Sequence, residues 1–256
     1  MATAALPHSP GVVLKSGRRL ATLDEWHRHA PPKEKHKHWK DGRSAKECAR
    51  AWLDAAPDLP SEISDTLRSC NDIGSLRDWC AEPEAKVRID GFRGPPNIDV
   101  LLTGCDDYGP VVVAVEAKAD ETFGAVIERT LSDAYARLEA KPKSKSVARV
   151  QQLAKLFGLT LEQRDVLDLR YQLMTVTAAV LAEAERRAAQ RAIVVVHEFV
   201  TPLTTPEKRA RNSRDLDLFL GEVFGHRNSL RPGTVIGPLE TSRKPMLYFA
   251  KAQRFV

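Results

Sequence analysis

The chain has 256 residues, a formal net charge of +5, and 43% hydrophobic and 29% charged residues. That balance excludes a disordered or collagen-like chain, and the length excludes a mini-protein that needs disulfide staples. The longest apolar runs, such as 111–115 and 192–196, fall far short of the about 20 residues of a membrane span.

At roughly 150 residues per domain, the length fits one large domain or one domain with an appendage. The opening residues MATAALPHSPGVVLKSGRR place no basic stretch ahead of an apolar one, so no secretory signal is expected. Four cysteines, at 48, 70, 80 and 105, lack C-x-x-C spacing and suit free thiols in a reducing, cytoplasmic setting. The first fifty residues hold eleven Lys and Arg against five Asp and Glu, and the remainder is near neutral. Residues 1–43 are therefore expected as a basic, partly flexible segment, and 44–256 as a single domain. The run PPKEKHKHWKDGR at 31–43 places Trp39 beside Lys40 and Arg43. Such a run tracks phosphates while its aromatic stacks on a base; the same composition also suits a solvated tail.

The pattern turns helical at Ser44, a candidate N-cap with Glu47 three residues on, as in a capping box. Ala45, Cys48, Ala49 and Trp52 make its apolar stripe, and Pro57 and Pro60 end it. A second short helix is expected over 63–68. Residues 86–90 alternate as a first strand, and 91–96, with two Gly and two Pro, form a turn. Strand is expected over 98–103, loop over 104–110, and a central buried strand over 111–117, which is apolar on both faces. Helix follows to about Ala140, then the basic loop KPKSKS at 141–146 and an amphipathic stretch at 147–157. One long helix is expected from Glu162 to Ala189 on the stripe Val166, Leu169, Leu173, Val176, Val180 and Ala184. A second doubly apolar strand at 192–200, a short helix at 215–224 and a last strand at 246–256 complete the chain. This order describes an α/β fold with a mixed central sheet covered by helices.

The chemistry-bearing feature is a charge pair in a dry place. Glu116 and Lys118 end the most apolar strand and, two residues apart, point to one face. If strands 98–103 and 111–117 pair, Asp99 lies beside Glu116. Two carboxylates that close repel unless a cation lies between them. Hard oxygen ligands favour Mg²⁺ or Mn²⁺, and Glu84 offers a further carboxylate. This donor set suits phosphodiester hydrolysis, with Lys118 stabilising charge at the transition state. The tripeptide E-A-K alone is weak, since it occurs at 84–86, 116–118 and 139–141. An ordinary salt bridge at a sheet edge is the competing reading.

The D…E-x-K arrangement on strand, hairpin and strand, followed by helix, resembles the PD-(D/E)XK nuclease superfamily. The segments NIDVLLTG…VVVAVEAKADETFG, LRYQLMTVTAA and AIVVVHEF, with WKDGRSAKECARAWL at 39–53 and GPLE near the C-terminus, are similar to an uncharacterised bacterial nuclease-like family. The resemblance covers most of the chain. It implies a restriction-endonuclease-like mixed sheet flanked by helices, with an N-terminal helical extension. It implies Asp99, Glu116 and Lys118 as the catalytic core, and Glu84, Asp99 and Glu116 as ligands of Mg²⁺ or Mn²⁺. Gln172 matches a supporting glutamine, with Arg170 beside it, although both also suit the polar side of a half-buried helix. Pro96 stands three residues before Asp99 rather than next to it, a departure from the motif. The implied partner is DNA, with no membrane and a possible homodimer. The alternative is an inactive nuclease-fold module that binds nucleic acid or a protein.

Overall fold

A computed structural model describes residues 11–256; residues 1–10 of the expected basic segment lie outside the described residues. In chain order the elements are β1 (Val12–Lys15), β2 (Arg18–Arg19), α1 (Leu23–His29), α2 (Lys35–His38), α3 (Ser44–Ala55) and α4 (Ser61–Arg68). Three strands follow, β3 (Arg77–Lys86), β4 (Asn97–Asp106) and β5 (Gly109–Lys118). Then come four helices, α5 (Ile127–Ala140), α6 (Ser146–Leu156), α7 (Arg164–Asp168) and α8 (Tyr171–Arg186). The chain closes with β6 (Arg191–Val200), α9 (Pro206–Phe224), β7 (Thr234–Leu239) and β8 (Met246–Phe255).

The fold is α/β: one mixed eight-stranded sheet, in the order β2-β1-β3-β4-β5-β6-β8-β7, lies between two helical layers. β3, β4 and β5 are antiparallel neighbours, whereas β5, β6 and β8 run parallel. A central parallel strand is covered on both faces, so β5 and β6 are runs of Val and Ala buried along almost their whole length. Odd-numbered residues such as Val113 and Val115 pack under Trp26, Trp52 and Ile63 of α1, α3 and α4. Even-numbered Val112 and Ala114 pack under Leu173, Val176 and Val180 of α8 and Phe219 of α9.

Several expected boundaries move, each for a physical reason. The segment expected as a flexible arm supplies β1, which pairs in parallel with β3, and Trp26, buried at 3% exposure. The N-terminal extension is therefore part of the sheet and core rather than purely helical. β3 begins nine residues earlier than the alternation at 86–90 suggests, and it contains both Pro83 and Glu84. Pro83 is tolerated because β1 pairs only with Cys80 and Ala81. Beyond that point the Lys15 ammonium takes over, donating to the carbonyls of Pro83 and Glu84, each at 2.8 Å. The 104–110 loop shrinks to a tight turn at Asp107–Tyr108, with Asp106 and Gly109 already paired.

The long helix over 162–189 is broken into α7 and α8. Arg170 takes an extended backbone (φ −77°, ψ 119°) and bridges Val126. Its carbonyl neighbour Leu169 accepts the Ile127 N–H, while Tyr171 N–H donates to Ala125. Ser44 is not an N-cap: Arg43 holds that position, the Ser44 hydroxyl donates to Glu121, and Glu47 accepts the Gly42 N–H. The real capping box is Thr22 with Glu25, at the start of α1. α9 starts nine residues before the expected 215 because Thr205 caps it and Pro206 opens it. Its first turns are polar, so they carry no apolar stripe.

Candidate functional site

The register Val100↔Val115 between β4 and β5 sets Asp99 across from Glu116 when extended by one pair. Both then project on the α8 side of the sheet, with Lys118 two residues on. The Asp99 carboxylate accepts the Ala117 N–H at 2.8 Å. Glu116, 1% exposed, accepts on Oε1 from Lys118 Nζ at 2.5 Å and from Gln172 Nε2 at 2.6 Å. Lys118 is itself 6% exposed, and its ammonium stands 5.3 Å from the centre of the Phe123 ring. The Asp99 carboxyl lies close enough to Glu116 for a proton shared between them to raise Glu116 and lower Asp99. Glu116 Oε2 is buried and accepts from no N–H or O–H donor among the described residues. Such an atom costs about 1–3 kcal/mol or more unless that proton or something outside the chain satisfies it.

The electrostatics agree with this crowding. Burial first, and the Asp99 charge second, push the Glu116 carboxyl up to about 8. Burial also raises Asp99, against the pull of Lys118. For Lys118, burial acts to lower the pKa, but the charges of Glu116 and Asp99 outweigh it, so the ammonium is held above its ordinary value. Two adjacent carboxylates thus share one lysine, a set short of positive charge.

The other expected residues divide. Gln172 reaches the pair from the first turn of α8. Glu84 lies on β3 in the left-handed region (φ 48°) and accepts a hydrogen bond from Asn97. Burial, then the Asp99 charge, push it up to about 8. It feels the pair without joining it, and among the described residues no group of three or more His, Cys, Asp or Glu gathers to hold a metal ion. Arg170 does not face the carboxylates; its guanidinium is engaged by Asp215 at 2.8 Å and by the Gly124 carbonyl at 2.9 Å. Trp39 stacks on His27 with ring centres 4.8 Å apart. Lys40 is exposed, and Arg43 pairs with Asp120 at 3.1 Å. Within the expected phosphate-tracking run, Trp39 and Arg43 are thus engaged by the body, whereas Lys33, Lys37 and Lys40 are exposed.

Sequence reasoning passed over Lys15, and it explained Glu121 equally well as a first-turn carboxylate at a helix N-terminus, whereas Glu121 lies in the loop before α5. Glu121 accepts from Ser44 at 3.0 Å and from the Ala119 N–H at 3.1 Å, and its charge acts on both Asp99 and Lys118. Its position three residues after Lys118 was the available signal. Lys15 acts on Glu84 from a strand distant in sequence, and no local pattern points to it.

On the opposite face, His197 is fully buried, with Nε2 2.8 Å from Glu62 Oε1. Burial lowers the His197 pKa; for Glu62 burial is the largest single influence and raises it, but the His197 hydrogen bond, a backbone N–H and the charges of His197 and Arg254 together take it down to about 2. A histidine held neutral contributes stability above its unfolded value near 6.5, which is lost as pH falls below it. Glu62 contributes above about 4.5 and loses its contribution toward about 2. Acid titration followed by circular dichroism should therefore show progressive loss of stability below about pH 6.5. Glu62→Gln should steepen the loss just below about pH 6.5, because the Glu62 charge and hydrogen bond hold the His197 pKa up, and should remove the further loss below about 4.5; an unchanged profile would refute the coupling.

Residues 19–254 match the model of a family described as a domain of unknown function, DUF6946. No curated protein and no solved structure matches the chain.

Proposed function

The chain belongs to the DUF6946 family, and we propose that it hydrolyses phosphodiester bonds of DNA with a bound divalent cation, on a restriction-endonuclease-like sheet of the PD-(D/E)XK kind. The observation that carries this reading is the Asp99–Glu116 carboxylate pair with Lys118 at the end of the most buried strand. Glu116 Oε2, buried and without an N–H or O–H donor, supports a missing cation there. Mg²⁺ characteristically takes one or two protein carboxylates and completes its shell with water and substrate phosphate. Two carboxylates therefore fit, and Glu84 need not complete the set.

Asp99 and Glu116 would hold Mg²⁺ or Mn²⁺, which supplies Lewis-acid polarisation of a phosphoryl oxygen and a more acidic water. The chain's own residues do the rest. Gln172 and Lys118 both bind Glu116 Oε1, which fixes the carboxylate plane and leaves Oε2 without an N–H or O–H donor. Glu116 keeps Lys118 charged and aimed, so its ammonium can orient a water or stabilise negative oxygen as the phosphorus centre gains charge. The dry sheet end strengthens each of these interactions.

The pair also sets a pH signature. A carboxyl raised to about 8 makes folding less favourable above that pH, and the penalty vanishes below about 4.5. Mn²⁺ competes with the proton for the same oxygens. The gain in Tm on adding Mn²⁺ should be large at about pH 8.5 and small at about pH 6. Asp99→Asn and Glu116→Gln should abolish it; a gain that persists in both would overturn the cation assignment.

A second reading rests on the failure of Glu84 to join the pair. In it, the chain is an inactive nuclease-fold module that binds nucleic acid. Calorimetric titration separates the two, since a catalytic centre binds Mn²⁺ through Asp99 and Glu116 and an inactive module does not.

A further inference from the structure

A cleft of about 900 Å³ runs between the 91–94 turn and the 141–146 loop. Arg93, Arg137, Lys143 and Lys145 line it; all four are exposed, and none forms an ion pair among the described residues. The acids nearby are already engaged. Asp90 holds Arg149 through two bonds, at 2.8 and 2.9 Å, and Asp133 holds Arg129 at 3.1 Å. Arg149 also donates to the carbonyls of Arg93 and Gly94, which fixes the turn that presents Arg93. Four cations with no ion pair of their own therefore face one space whose lining acid, Asp133, is already held by Arg129, in a chain whose whole net charge is +5.

Two further observations say what that space takes. Phe92 and Tyr171 line the same cleft, and both are half-buried. Aromatic faces among cations suit unpaired bases next to phosphates, whereas a duplex hides its base faces. The cleft also leads somewhere. It shares Thr130, Arg149 and Tyr171 with an adjoining hollow of about 350 Å³, which is lined by Asn97 and Gln172. Those two residues bond to Glu84 and Glu116.

We propose that this cleft binds a single nucleic-acid strand by its phosphates and leads it to the Asp99–Glu116 pair. The destination rests on the hydrolytic reading above; the binding itself does not.

The test is fluorescence anisotropy in EDTA, with a fluorescein-labelled oligothymidylate and a blunt duplex of the same length. The single strand should bind more tightly, with log affinity falling against log salt at a slope of about −3 for four neutralised phosphates. The exposed reversals Lys143→Glu with Lys145→Glu, and Arg93→Glu with Arg137→Glu, should each weaken binding about tenfold or more and make the slope shallower by about 1.4. Equal binding by wild type and both variants, or tighter binding of the duplex, overturns the proposal. Calorimetry with Mn²⁺ on the same proteins separates the two readings. If Mn²⁺ binds but strand affinity ignores the reversals, the cleft falls alone. If Mn²⁺ does not bind but strand affinity still depends on the four cations, the cleft stands and the hydrolytic reading falls.

Discussion

Glu116→Ala and Lys118→Ala should each lower divalent-dependent cleavage of plasmid DNA by about 10²-fold or more. The expectation follows from position. Glu116 offers the buried oxygen without an N–H or O–H donor, and Lys118 is the one cation hydrogen-bonded to the pair among the described residues. Removing Glu116 deletes half of the cation's protein donors and frees Lys118 to drift. Removing Lys118 leaves two adjacent carboxylates with no positive partner, so any bound cation must offset both charges. Lys118→Arg should not rescue the rate, because a planar fork cannot replace a compact ammonium in a space closed by Phe123. Gln172→Ala should cost less, since it orients Glu116 without supplying charge. The measurement is nicking of supercoiled plasmid with Mg²⁺ or Mn²⁺ by variants of confirmed fold. Cleavage that survives both alanine substitutions would show that the activity lies elsewhere.

The largest effect on stability is expected at the other end of the same strands. Arg191 and Asp106 form an ion pair at 2.5 Å with both side chains almost fully buried. Arg191 also donates to the Asp72 carbonyl at 3.0 Å, and its guanidinium lies 5.2 Å from the centre of the Tyr108 ring. Asp106 additionally accepts the N–H groups of Gly74 and Tyr108, each at 2.9 Å. Arg191→Met leaves a carboxylate buried without its cation, a loss of about 3–5 kcal/mol. Arg191→Met with Asp106→Asn should lose less than the two single changes summed, because the amide carries no charge and still accepts from one backbone N–H. Urea denaturation reads both. A loss under about 1 kcal/mol for Arg191→Met would mean that the pair is solvated in the folded state.

Pattern strength decides what the sequence discloses. β5 and β6 were legible because strands covered on both faces must be apolar throughout, and the Asp99–Glu116 pairing followed from one hairpin register. Gln172 was legible only by resemblance, yet it lands on Glu116. The start of β3 was hidden because Arg77, Asp78, Glu82 and Pro83 break any alternation, and its pairing with β4 over nearly its full length overrides that local signal. The break at Leu169–Arg170 was hidden for the opposite reason. The apolar stripe of α7 and α8 is continuous, and only a backbone bridge to Val126 interrupts it. The basic N-terminal run misled because charge content reports surface, whereas Val12, Val13, Leu20 and Trp26, scattered through it, are core. The cationic cleft draws on Arg93, Arg137 and the KPKSKS loop, three separate segments, and only their folding brings them to one space.

The way β1 covers β3 has a consequence for the protein's solution behaviour. The cover consists of a four-residue strand that ends in Lys15, and beyond it β2 contributes two exposed arginines. A protease clip between Arg19 and Leu23, followed by release of the leading fragment, would bare a ten-residue strand at the margin of the sheet. Unpaired N–H and C=O groups in such a row recruit the same row from another molecule. The short leading strands would then serve as a guard against polymerisation, and their loss would show first as turbidity rather than as lost activity.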